Sequence, residues 1–338
     1  MTMKGRRGAW LTVTIVACLA IALAGGCRRR STIPYALTDR DYWALIESAS
    51  EPGGAFTLSD NIVSNEPRFA EAIKWLSPGG GAYIGVGPEQ NFSYVAALRP
   101  EIAFIIDIRR DNLDLHLLYK ALFELSTDRA DFVSRLFSRP RPAGLDARTG
   151  VDALFAAYER VVPTSDEYDR NAADVRQRLV QTHGFPVPQS DLDRIELTFR
   201  IFLTAGPRVD YYGANAVDAV RPSYQQLMTA RDFTGTSQSF LASEERFQFV
   251  KTLHTRNLIV PVVGDFGGSH AFRAIGAYVR QHHGRVRAVY ASNVAVYLST
   301  QQGLAFCNNL ASLPALTSAW FLEMNRLRTL GDKLRACQ

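Results

Sequence analysis

One stretch constrains this chain more than any other. Residues 82–86 are short and apolar, and they run into the turn Gly85-Val86-Gly87-Pro88-Glu89-Gln90-Asn91. Residues 92–98 have helical character, Pro100 interrupts them, and residues 102–108 form an almost unbroken apolar run that contains Asp107. Short apolar runs bounded by turn residues read as buried strands, and strand, tight turn, helix, strand is the unit that builds a parallel sheet. A second unit of the same kind follows later. Residues 257–265 end in Gly264-Asp265-Phe266-Gly267-Gly268, residues 270–282 read as a helix, and residues 285–290 read as a strand that leads into Ser292-Asn293.

Two such units predict an α/β fold with a Rossmann-like, mostly parallel sheet. Strand signals are sparse from about 139 to 256, where 151–161, 171–181 and 190–203 read as helices, so a large, mainly helical insertion is expected after the second strand. Residues 113–137 repeat leucines at helical spacing and predict one long helix. Thr38 caps a short helix over 39–49, another covers 69–76, and one or two closing helices are expected over 316–334. A chain of 338 residues with 47% hydrophobic content can bury a sizeable core, and residues 31–338 are expected to form a single domain.

Residues 1–30 read as a signal or anchor segment. Lys4, Arg6 and Arg7 precede an uncharged apolar run over 9–24, and Leu23-Ala24-Gly25-Gly26-Cys27 resembles a bacterial lipoprotein cleavage box in which Cys27 would be lipidated. The Leu stands one place from its usual position, and Arg28, Arg29 and Arg30 suit a stop-transfer flank equally well. An exported lipoprotein, an uncleaved N-terminal anchor and a misassigned start all remain open; the first two associate the protein with a membrane. These basic residues also account for the net charge of +5, so the remainder is near neutral and nucleic acid is not an expected partner. Of four cysteines only Cys307 and Cys337 lie outside this segment; they could pair, although two separate buried thiols are favoured. The six histidines show no zinc-ligand spacing, and no metal is expected.

The glycine turn carries the expected chemistry. A Gly-x-Gly between strand and helix lets a ligand approach backbone amides, and an acid at the end of the next strand accepts ribose hydroxyls. Asp107 stands 20 residues after Gly87, as that geometry requires. The third glycine of a dinucleotide fingerprint would fall at Gln90, which disfavours a nicotinamide dinucleotide. S-adenosylmethionine suits the polar Glu89-Gln90-Asn91 better, because its amino-acid end can meet a carboxylate or amide. The plainer alternative is that Pro88 and Asn91 only shape the turn and cap the helix. Asp265 would accept from an adenine amino group or cap a helix; Ser292 and Asn293 would enter the same crevice or merely turn the chain. No Gly-x-Ser-x-Gly, Gly-x-x-x-x-Gly-Lys or His-Glu-x-x-His occurs.

The glycine turn, Ser64-Asn65-Glu66, Asp107-Ile108-Arg109-Arg110, Arg221-Pro222-Ser223-Tyr224, Phe240 to Glu245, Val263 to Gly268 and Ser292-Asn293-Val294 together resemble a family of uncharacterised bacterial proteins with a class I methyltransferase-like Rossmann fold. The resemblance spans about 42–298. It implies an S-adenosylmethionine-like pocket lined by the glycine turn, Asp107 and Asp265, but no reaction. One position departs: Ala295 stands where an acid is expected after Ser-Asn-Val. Glu66, Arg110, Tyr224 and Glu244 are the catalytic candidates, a Glu as general base and an Arg to orient an anion. Plainer roles are open too, with Glu244 opening a helix and Arg110 pairing with Asp111 or Asp114. The expected function is a methyltransferase-like protein of unknown acceptor; the alternatives are a non-catalytic exported lipoprotein that binds a ligand or acts as a scaffold and, more weakly, a nicotinamide-dependent oxidoreductase.

Overall fold

In a computed structural model, residues 30–55, 61–211, 221–324 and 326–338 are described; the expected signal or anchor segment before Arg30, with Cys18 and Cys27, lies outside them. Residues 1–31 and 32–338 are separate units, and every element named below belongs to the second. Strands β1 (Ala82–Val86), β2 (Ile102–Asp107), β3 (Ile259–Val263), β4 (Val286–Ser292), β5 (Ala315–Glu323) and β6 (Arg326–Thr329) form one sheet in the order β3-β2-β1-β4-β5-β6. Neighbours pair in parallel from β3 through β5, and β6 returns antiparallel to β5. The fold is therefore α/β with a mostly parallel six-stranded sheet. Every residue of β2 and β3 is buried, which explains their unbroken apolar runs: helices cover such strands on both faces. Pro261 is tolerated in β3 because that strand lies at the sheet edge and one side of it needs no ladder donor.

The strand-joining elements are α3 (Gln90–Leu98) between β1 and β2, α11 (Ala271–Gln281) between β3 and β4, and α12 (Thr300–Ser312) between β4 and β5. Ahead of them come α1 (Asp39–Ala49), with Thr38 accepting from Asp41 N as its cap, and the short α2 (Phe69–Ile73). Between β2 and β3 the described chain is helical: α4 (Arg110–Leu125), α5 (Arg129–Phe137), α6 (Val151–Glu159), α7 (Ser165–Arg176), α8 (Gln189–Ala205), α9 (Tyr224–Met228) and α10 (Glu244–Thr255). Phe92 of α3 joins this layer to the sheet, with its ring centroid 5.3 Å from Phe123 and 5.5 Å from Phe240. Among the described residues no helix is long and apolar enough to cross a membrane.

Three expectations are corrected. The single helix over 113–137 is two, because Ser126 adopts extended backbone and Asp128 caps α5 by accepting from Asp131 N at 2.8 Å; such a cap is worth about 1 kcal/mol and outweighs the continuing periodicity. The closing helices over 316–334 are instead the hairpin β5–β6 followed by the short α13 (Leu330–Arg335). There the open edge of β4 supplies ladder partners, and pairing buries Ala319, Phe321 and Leu322. Cys307 and Cys337 are not separate thiols but a disulfide, with Cα atoms 5.9 Å apart, joining α12 to the C-terminal end.

Candidate functional site

Strand order decides where a ligand can sit. The chain leaves β1 toward β2 on one side, while β4 flanks β1 on the other, and such a reversal opens a crevice beyond the carboxyl ends of the strands. A cleft of about 220 Å³ lies there. The ends of four adjacent strands build its floor: Asp265 after β3, Asp107 on β2, Gly87 after β1, and Ser292 on β4.

The two glycines of the turn have opposite reasons to be glycine. A Cβ on Gly85 would lie 1.9 Å from Asn91 Oδ1, so its bareness makes room for a side chain of the protein itself. Gly87 has φ of +78° and open space where a Cβ would point, which leaves its backbone accessible from the cleft. Asn91 is the builder of the turn: Nδ2 donates to the carbonyls of Val86, Gly87 and Pro88 at 2.8–3.1 Å, and Oδ1 accepts from Tyr83 Oη at 2.8 Å. His116 Nε2 meets the Gly87 carbonyl at 2.9 Å. Burial pushes this imidazole down to about 4, so at neutral pH it is uncharged and donates Nε2–H there.

Glu89 and Gln90 also face the interior rather than the ligand contact expected of them. Both Glu89 carboxylate oxygens accept from Ser64 N, at 3.1 and 3.2 Å, and burial pushes the group up to about 8. Gln90 Nε2 donates to Tyr94 Oη at 3.0 Å, Tyr290 Oη at 3.1 Å and Glu66 Oε2 at 3.4 Å. The polar triplet after Gly87 thus fixes the turn and ties it to β4 and to residues 64–66.

Asp107 does face the cleft, but its carboxylate is partly committed. Oδ1 accepts from Arg109 N at 3.0 Å and Nε at 3.1 Å, and Oδ2 accepts from Nη2 at 3.0 Å. A carboxylate offers about four lone-pair sites, so roughly one remains for a ligand hydroxyl, not the two expected. Asp265 turns the chain by accepting from Gly267 N at 2.8 Å; its Oδ2, 3.3 Å from Gln302 Nε2, retains capacity. Arg109 is the one Lys or Arg among the described lining residues, and Asp107 neutralises it.

The sequence from 61 to 324 matches the model of a domain of unknown function, DUF7790. The chain belongs to that family. No curated protein matches it. The matched span takes in the carboxyl ends of β1 to β4 and every lining residue from Asn61 onward, so the cleft is built almost wholly from family sequence.

The four catalytic candidates are not brought together. Glu66 alone touches the cleft wall, from behind it: Oε1 accepts from Tyr290 Oη at 2.9 Å and from Ser292 Oγ, both of which line the cleft. Burial raises its pKa, and the donors Ser292, Tyr290 and Gln90 oppose that rise. Arg110 pairs with Asp191 of α8 at 2.6 Å, while Asp111 and Asp114 pair with Arg194 instead. Tyr224 packs its ring against Phe137, Phe155 and Phe202. Glu244 opens α10 behind the Ser243 cap and holds Gln248 and Arg129, so the helix-start role describes it. Ala295 is exposed on the turn Val294–Val296, off the cleft wall. Asn293 lines the cleft and donates to Tyr297 Oη at 3.3 Å.

Sequence reasoning missed Arg109 and His116 as partners of Asp107 and Gly87. The i+2 spacing of Arg109 from the strand-end acid was available as a signal. Nothing local marks His116, which meets the turn only once α4 packs on the sheet.

Proposed function

We propose that the cleft binds a nucleoside-type ligand, with S-adenosylmethionine the candidate cofactor, in a Rossmann-like, methyltransferase-like fold whose acceptor is unassigned. One observation carries this reading: an accessible glycine backbone, a strand-end Asp and a second strand-end Asp stand on the adjacent strands β1, β2 and β3 of one cleft. Asp107 would hold a ribose hydroxyl, Asp265 would accept from an exocyclic amine, and Ile108, Phe266 and Leu298 offer apolar surface for a base. A pyrophosphate would meet carboxylates and one already neutralised Arg, which argues against a dinucleotide. When bound, S-adenosylmethionine would supply an electrophilic methyl group; the chain contributes placement, and Glu66, bonded behind Ser292 and Tyr290, would be the proton acceptor at that end of the cleft. Thermal-shift comparison of the full chain with S-adenosylmethionine, S-adenosylhomocysteine and NAD tests this. Stabilisation by the first two and not the third is expected; stabilisation by NAD alone, or by none, would refute it.

The disulfide favours a second reading, an exported lipoprotein that uses the cleft to bind a ligand without catalysis. Disulfides persist in oxidising compartments, where this cofactor is not expected to be supplied. The lipobox-like segment agrees with export, and so does the missing acid at Ala295 with loss of catalysis. The mass of the mature N-terminus separates a lipidated Cys27 from an intact anchor, and a cytoplasmic, reduced protein would remove this reading.

A further inference from the structure

The four strand ends lie in a line, β3, β2, β1, β4, at about 4.8 Å per step, so the cleft floor runs roughly 14 Å from Asp265 to Ser292. A nucleoside with its base at Asp265 and its ribose at Asp107 directs its 5′ substituent across the bare backbone of Gly87 toward the end of β4. The groups at that end are unusual in what they leave for a ligand. Ser292 Oγ acts as a donor, to Glu66 Oε1 and toward Asn293 Oδ1 at 3.3 Å, so its lone pairs remain for the cleft. Tyr290 likewise spends its hydroxyl proton on Glu66 and accepts from Gln90. The carboxylate behind both is 3% exposed, and among the described residues no Lys or Arg pairs with it.

We infer that the β4 end of the cleft is a subsite for a protonated amine or similar compact cation on the 5′ side of the ligand, with Ser292 Oγ accepting its N–H and Glu66 supplying the charge. The inference rests on the nucleoside reading of the cleft. A phosphate or carboxylate in the same place would find lone pairs and a buried negative charge in place of donors, and would be repelled. Burial raises the Glu66 carboxyl, and a cation at Ser292 adds to the pull of its three donors in the opposite direction. Ser292 itself sits at φ of +45°, a conformation uncommon outside glycine, which turns the chain away at this point and leaves its side chain on Glu66.

Calorimetric titration of the full chain at pH 7 with adenosine, 5′-amino-5′-deoxyadenosine and adenosine 5′-monophosphate isolates this subsite, because the three differ only at the 5′ position. The amine is expected to bind about tenfold or more tighter than adenosine, a difference of about 1.4 kcal/mol, with the monophosphate weakest. In Glu66→Gln the ratio of amine to adenosine affinity should fall to within about twofold, since the isosteric amide keeps a partner for Ser292 but removes the charge. Ser292→Ala, which removes the acceptor together with one donor to Glu66 and leaves the carboxylate in place, provides the same ratio should the first variant fail to fold. Equal binding of amine and adenosine by the unsubstituted chain, tightest binding of the monophosphate, or an undiminished ratio in the folded variants would overturn the subsite while leaving the nucleoside reading intact. Failure of all three compounds to bind would overturn that reading and the subsite with it.

Discussion

Arg109 grips Asp107, two residues before it at the end of β2, through its backbone N and both faces of a bidentate guanidinium contact at 3.0–3.1 Å, with both side chains buried. The pair supplies the cleft with an oriented carboxylate whose charge is already balanced. Removing either member breaks a buried, hydrogen-bonded ion pair, which costs about 3–5 kcal/mol. Asp107→Ala and Arg109→Ala should each lower the urea unfolding free energy by that order, and the double variant should lose clearly less than the sum. Additivity within about 0.5 kcal/mol would mean the two groups are not coupled.

The two glycines of the turn should respond differently to the same substitution. In Gly85→Ala the new methyl collides with Asn91 Oδ1, the atom on which the turn depends, and overpacking of this kind costs about 1–3 kcal/mol. Gly87→Ala meets open space and suffers only from its positive φ, about 1 kcal/mol. Denaturant unfolding should therefore rank Gly85→Ala as the more damaging, while Gly87→Ala, with its methyl on the cleft floor, should weaken ligand binding more than its stability loss suggests. The reverse ranking would misplace both residues.

Glu89 should leave a mark on the pH profile of stability. Its carboxyl is pushed up to about 8 by burial, from an ordinary value near 4.5. Between those values the folded chain holds a proton that the unfolded chain has released, so this stabilisation is complete below about 4.5 and is lost as pH rises to about 8. Glu89→Gln lacks the titration and retains an acceptor for Ser64 N. Relative to this variant, the unsubstituted protein should lose stability from pH 5 to 8 by up to about 1.4 kcal/mol per unit. Parallel profiles would show that Glu89 ionises normally.

Cys307 and Cys337 close a 30-residue separation that includes the whole of β5 and β6. Loop-closure entropy for that length is about 3–4 kcal/mol, so Cys307→Ser with Cys337→Ser should lower the melting temperature under non-reducing conditions, and reductant should then have no further effect. A mass spectrum showing two free thiols in the unsubstituted protein would contradict the bond.

The parallel sheet could be read from Ala82–Val86 and Ile102–Asp107 because strands buried on both faces write themselves as apolar runs. β5 could not: six of its nine residues, Ala315 to Ser318, Trp320 and Glu323, escape full burial, and its pairing depends on the distant edge of β4. The break after Leu125 was likewise hidden, since the helical periodicity continues through a cap that only Asp128 signals. At the cleft, Asp107, Asp265, Ser292 and Gly87 were legible from strand-end position alone. Glu89 and Gln90 were placed in the right turn and facing the wrong way, because a seven-residue motif does not reveal that Ser64, Tyr94 and Tyr290 will claim their polar groups, while Asn91 shapes the turn as its plainer reading had it. Arg110 and Tyr224 went astray as catalytic candidates for the same reason, because their partners Asp191 and Phe202 come from another helix, while Glu244 opens its helix as its plainer reading had it.

The most direct test of the cleft is calorimetric titration of the full chain with S-adenosylmethionine, alongside Asp107→Ala held under conditions where circular dichroism shows it folded. Stoichiometric binding by the unsubstituted protein, weakened by about tenfold or more in the variant, is the expected result. Binding that is unchanged in folded Asp107→Ala would place the ligand elsewhere, and no binding by either protein would contradict the proposed cofactor.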